Sequence, residues 1–140
     1  MKLQVLLLVF CLHHWLVVGK IFKPCELKSV LLAYPVPKHQ VDMWMCLAYH
    51  ESRFDTSALG DKNYDGNRDH GIFQLNDRYW CDSHTGKNAC HEKCKNFRDN
   101  DIKNDIKCAL RVIEDPNGFA AWSTYRFCKN LSGYHPWKCI

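Results

Sequence analysis

The chain holds 140 residues, one domain's worth, with no internal repeat, linker or low-complexity tract. A formal net charge of +4 is a mild basic excess. It steers weakly toward acidic surfaces but is too small to mark a nucleic-acid partner, and nothing after residue 19 approaches the roughly 18 consecutive apolar residues of a membrane span.

Residues 1–19 carry one basic residue, Lys2, then an apolar run, then small Gly19 before Lys20. That is the pattern of a secretory signal peptide cut after Gly19, leaving 20–140 as one secreted, extracellular domain. His13 and His14 break the apolar run, which disfavours a membrane anchor. Cys11 leaves with the signal. The remaining cysteines are Cys25, Cys46, Cys81, Cys90, Cys94, Cys108, Cys128 and Cys139. An even count in a secreted chain predicts a disulfide framework, although sequence alone allows about a hundred pairings. Cys90-His91-Glu92-Lys93-Cys94 suggests zinc, but no second pair has zinc-finger spacing and an oxidising compartment favours disulfides.

A first helix is expected over 24–34, with Pro24 in its first turn and Pro35 and Pro37 beyond its end. A second runs from about Val41 to Arg53. Trp44, Leu47, Ala48 and Glu51 recur at i, i+3, i+4 and i+7, which places them on one helix face. Residues 60–76 switch to short strands around turns, and Asp65-Gly66 is a hairpin signal that carries Asp69 toward the Glu51 end of the helix. Arg78-Tyr79-Trp80 offers aromatic faces for sugar rings. Asp99, Asp101, Asn104 and Asp105 gather oxygen donors before a third helix, expected over about 101–114 with Ile102, Ile106, Ala109 and Ile113 buried. The same acids also suit a helix N-terminus through its dipole. Asp115-Pro116-Asn117-Gly118 ends that helix. Asn130-Leu131-Ser132 is an N-glycosylation sequon.

Two carboxylates stand apart. Glu51 ends an apolar stripe, where loss of water disfavours charge and raises the pKa. Asp69 lies among Asn63, Asp65, Asn67, Gln74 and Asn76, a polar setting suited to an ionised group. Two carboxyl groups with contrasting surroundings suggest an acid and a base or nucleophile, the pair that splits a glycosidic bond.

The runs H-E-S-R-F-D-T-S at 50–57, D-G-N-R-D-H-G-I-F-Q-L-N at 65–76 and R-Y-W-C at 78–81 resemble C-type lysozyme, as do K-I-F-K-P-C-E-L at 20–27 and A-A-W at 120–122. That family is itself the type case of the paired-carboxylate mechanism. The resemblance implies an α+β fold: a mainly helical lobe and a small antiparallel β lobe, with a cleft between them and four disulfides. It pairs Cys25–Cys139, Cys46–Cys128, Cys81–Cys94 and Cys90–Cys108. It implies a monomeric, secreted, antibacterial or digestive muramidase that cuts the β-1,4 bond between N-acetylmuramic acid and N-acetylglucosamine in peptidoglycan. Glu51 would be the general acid/base and Asp69 the nucleophile or charge stabiliser. Asn63, Gln74, Asn76, Tyr79, Trp80, Asp115 and Trp122 would serve the substrate, Trp122 as an apolar wall by Glu51. No cofactor is required. The acidic stretch resembles a calcium loop, with Asn96, Asp99, Asp101, Asn104 and Asp105 as ligands, weakened because Asn104 stands where Asp is usual. The alternative is a non-catalytic calcium- or sugar-binding relative, although such relatives usually lack one or both carboxylates. His70 stands where Tyr is frequent; protonated beside Asp69, it would favour that carboxylate's charge and shift the active range to lower pH.

Overall fold

The chain is described from a computed structural model covering residues 19–84 and 86–140; apart from Gly19, the expected signal peptide lies outside the described residues. Three α-helices form one lobe: α1 (Pro24–Ala33), α2 (Val41–Ser52) and α3 (Lys103–Ile113). The other lobe holds a two-stranded antiparallel sheet, β1 (Asp69–His70) with β2 (Leu75–Asn76), in the register Asp69↔Asn76 and His70↔Leu75. Of the short 3₁₀ segments, Cys94–Arg98 lies between the β lobe and α3, while Gly118–Ala121 and Ser123–Cys128 follow α3 and pack against α3 and α2.

Pro24 opens α1, where a missing N–H is no loss. Glu26 accepts the Lys23 N–H at 3.4 Å, and the helix stops at Tyr34, just before Pro35. Leu27 and Leu31 are fully buried beneath it. Central α2 packs against α1 and against the 3₁₀ segment Ser123–Cys128. Its stripe is as expected: Trp44, Leu47 and Ala48 are buried, and Glu51 is half-buried at the end. The helix ends where Arg53 and Phe54 take left-handed angles (φ 55° and 65°). Neither is glycine, so packing must hold that turn, and the Phe54 side chain is buried.

Trp44 joins the lobes. Its ring meets Phe73 at 5.5 Å, Phe119 at 4.9 Å and Trp122 at 5.6 Å, all edge-on. Such contacts add about 0.5–1.5 kcal/mol each beyond area burial. Behind them the core continues through Leu75, Phe97, Ile106, Val112 and Trp137. All four expected disulfides are present: Cys25–Cys139, Cys46–Cys128, Cys81–Cys94 and Cys90–Cys108. For a small domain each contributes about 2–5 kcal/mol.

Two local expectations change. The third helix begins at Lys103 rather than Asp101, with Ile102 as its cap. Its inward face holds Asp105, Ile106, Cys108, Ala109 and Val112, while Ile113 is only partly buried. The hairpin loop proper is also not Asp65-Gly66. Residues 71–74 close it, with Gly71 at φ 75° and Gln74 at φ 50°. Asp65-Gly66 makes an earlier turn, with Gly66 at φ 83°, that brings Asn63 back to Asn67 (N–H to O, 2.7 Å). The segment before it lies along β1: Gly60 donates to the Asp69 carbonyl at 2.9 Å, and Leu59 bridges His70. β1 is therefore paired with β2 on one side and bridged on the other by the extended segment at Leu59 and Gly60.

Candidate active site

A cleft of about 190 Å³ opens between the lobes, lined by Glu51 from α2, by Asp69, Gln74, Leu75, Asn76 and Trp80 from the β lobe, and by Val112, Ala121, Trp122 and Ser123. The two carboxylates singled out by sequence thus share one cavity. A larger hollow of about 710 Å³ lies elsewhere, against α3, and contains neither of them.

Their surroundings differ as the sequence predicts. Burial disfavours the charge on Glu51 and raises its pKa above the ordinary carboxyl value. The Thr124 hydroxyl donates to its Oε1 and pulls the other way; the charge of Asp69 nearby pushes the pKa up again. The net direction is upward. Trp122 lines the same cavity as a buried ring, fixed because its Nε1–H donates to the Phe73 carbonyl at 2.7 Å. Asp69, by contrast, accepts one amide on each oxygen: Asn76 Nδ2 to Oδ1 at 2.8 Å and Asn63 Nδ2 to Oδ2 at 3.2 Å. The cross-strand pairing of Asp69 with Asn76 sets the first contact, and the turn at Asp65-Gly66 returns Asn63 for the second.

The other expected residues separate. Gln74 lines the cleft, but its amide NH₂ is committed to the hairpin turn, donating to Gly71 O at 2.9 Å and Ala58 O at 3.3 Å. Trp80 lines the cavity. Tyr79 lies beside Trp80 outside that lining, with Arg78 and Lys87 over its ring. Asp115 is not brought to the cavity; it accepts from Arg111 Nη1 at 3.0 Å on the surface. The expectation for His70 is corrected: adjacent residues of a strand point to opposite faces. His70 is buried behind the hairpin against Asp77 (Nε2 to Oδ2, 3.1 Å), not beside the Asp69 carboxylate.

The sequence profile of the C-type lysozyme/alpha-lactalbumin family matches residues 20–139. The chain belongs to that family. It is 42% identical over 123 residues to the milk isozyme of lysozyme C from Canis lupus familiaris, covering 82% of this chain and 95% of that protein. It is also 38% identical over 130 residues to an alpha-lactalbumin from Tachyglossus aculeatus aculeatus, covering 86% of this chain and all of that one. The crystal structure of canine milk lysozyme in its holo-type form superposes with a TM-score of 0.76 at 42% identity, over 81% of this chain and 93% of that one. The lysozyme-like α+β fold is thereby shown, and the two lobes and the cleft are those of the family.

The acidic loop of this family member lies behind the hairpin. Asp105 is completely buried, and neither of its oxygens has a hydrogen-bonding partner on another residue. Burial drives its pKa well up, and the charges of Asp99, Asp101 and Glu92 add to this. Asp99 is raised by burial and by the charges of Asp101 and Glu92, against the Asp101 N–H that donates to it. A buried carboxylate without donors, ringed by acids, suits a hard divalent cation. The Asn104 amide donates to the Asn96 carbonyl at 3.0 Å, holding together two of the expected ligands.

Residues that sequence reasoning missed are Leu75, Val112, Ala121 and Ser123 in the cleft wall and Thr124 on Glu51. Thr124 is 73 positions from Glu51 along the chain, and no periodicity connects them. The available signal was its place two residues after Trp122.

Proposed function

We propose that this family member is a secreted, monomeric muramidase that hydrolyses the β-1,4 linkage between N-acetylmuramic acid and N-acetylglucosamine in bacterial peptidoglycan, with retention of configuration. One observation supports this above the others: a half-buried carboxyl that favours its proton shares a narrow cleft with a carboxyl held by two amide donors.

In this reading Glu51 gives its proton to the glycosidic oxygen as the C1–O bond breaks. The Asp69 carboxylate attacks the anomeric carbon from the opposite face, and a glycosyl ester forms. Glu51, now ionised, takes a proton from water as the water attacks C1, and the ester breaks to restore the protonated Glu51 and the Asp69 carboxylate. Asn76 and Asn63 hold Asp69 in place for attack; Trp80 and Trp122 offer apolar faces to the sugar rings. Asp99, Asp105, the Asn104 side chain and the backbone carbonyls of Asn96 and Asp101 are the groups to hold calcium, which would neutralise the loop. Residues 1–19 act as the signal peptide.

The alternative is a non-catalytic binding protein, favoured by the alpha-lactalbumin match and the buried Asp105. Clearing of peptidoglycan-rich walls by the disulfide-bonded protein, beside a Glu51→Gln variant, decides between them. Clearing by the wild type alone supports the muramidase. A wild type that leaves walls intact at every pH supports the binding protein.

A further inference from the structure

The strands that carry Asp69 and Asn76 are only two residues long each, so backbone pairing alone gives them little register strength. Behind them, the side chain of Asp77 reaches both neighbours of Asp69. Its Oδ1 accepts the backbone N–H of Arg68 at 3.1 Å, and its Oδ2 lies 3.1 Å from Nε2 of His70. The Asp77 N–H also donates to the Arg68 carbonyl at 2.9 Å. A carboxylate acceptor requires the proton of the imidazole on Nε2, so His70 is the donor. Both side chains are largely shielded, with 8% and 15% exposed, where a charge-assisted hydrogen bond is stronger than in water. Asp69 faces the cleft, and the residues before and after it are tied to one carboxylate on the opposite face.

We propose that Asp77 and His70 form a bracket that fixes the register of this hairpin and thereby positions Asp69 toward the anomeric carbon. Both are positioning residues, since neither touches the cleft. The role rests on reading Asp69 as the nucleophile. A slip of one residue turns a strand's side chains to the opposite face; smaller displacements loosen the Asn76–Asp69 contact, and an error near 1 Å can cost about a hundredfold in rate.

The test compares wild type, His70→Phe, which keeps a ring but loses the donor, and His70→Gln, which restores a donor amide. Hydrolysis of peptidoglycan fragments gives kcat and KM; amide hydrogen exchange follows the N–H groups of Gly60 and Asp77. His70→Phe should lower kcat about tenfold or more with KM within about twofold, leave the pH limb of Glu51 in place and speed exchange at both amides. His70→Gln should recover most of kcat and slow the exchange again. Unchanged kcat in a folded His70→Phe protein overturns the bracket and leaves the muramidase reading intact. So does a His70→Gln protein that stays folded without recovering kcat. An inactive wild type overturns the muramidase reading first, and this positioning role with it.

Discussion

Glu51 and Asp105 are both carboxyl groups whose pKa burial raises, yet they sit in opposite kinds of site. Glu51 opens onto a cleft, takes one hydroxyl donor and shares that cleft with a second carboxylate, Asp69. Asp105 is sealed, has no donor on another residue and is surrounded by acids that repel its charge. Burial alone therefore does not make a catalytic acid. On the proposed reading the difference lies in what each group can reach: a substrate oxygen for Glu51, a cation or its own proton for Asp105. Both have folded-state values above the unfolded one. Each thus contributes stability that is full below the ordinary carboxyl range and is lost as pH rises through its raised value.

The largest expected effect separates the two sites by activity. Glu51→Gln should cut wall clearing by about 10²–10⁴-fold, the usual worth of a positioned general acid. It should not weaken the fold, because an amide replaces a group that resists ionisation. Asp105→Asn should leave the chemistry in place. A variant pair in which Asp105→Asn abolished clearing as fully as Glu51→Gln would erase the distinction.

The next effect separates them by metal. Calcium at a hundredfold excess over its dissociation constant stabilises by about 2.7 kcal/mol, or about 10 °C in Tm for a domain of this size. That gain should be seen by calorimetry near neutral pH, where Asp105 is asked to ionise, and should fade in acid as its proton returns. Asp105→Asn should be insensitive to calcium at every pH. No calcium-induced shift in the wild type would remove the loop from consideration as a cation site.

The two sites were unequally legible in the sequence. Glu51 was readable because helical period places it on the stripe of Trp44, Leu47 and Ala48, and Asp69 because Asn76 and Asn63 surround it in a turn-rich segment. The disulfide pairing came from the family resemblance; spacing alone could not choose it. What stayed hidden depends on geometry that sequence distance obscures. His70 looked like a partner of Asp69 because the two are adjacent, although strand alternation sends adjacent side chains apart. Asp115, expected at the far end of the cleft, lies outside the cavity lining and pairs with Arg111 on the surface, a contact that spacing alone does not single out. Asp105 falls at i, i+4 and i+7 with Ala109 and Val112, on the buried face of α3, a placement its charge disguised.

Thr124 is the sharpest case of a hidden residue, and it carries the smallest expected effect. Its hydroxyl donates to Glu51, and a donor stabilises the ionised form. It therefore opposes the two influences that keep Glu51 protonated, namely burial and the charge of Asp69. A general acid works only while it holds its proton, so the alkaline limb of the rate profile tracks the pKa of Glu51. Thr124→Val keeps the side-chain shape and removes the donor. Glu51 should then hold its proton to higher pH, moving the alkaline limb upward, while kcat on the acid side changes little. Thr124→Ser should leave the limb near its original place. A limb that moves downward in Thr124→Val would mean that the hydroxyl accepts from a protonated Glu51, reversing the direction of this hydrogen bond.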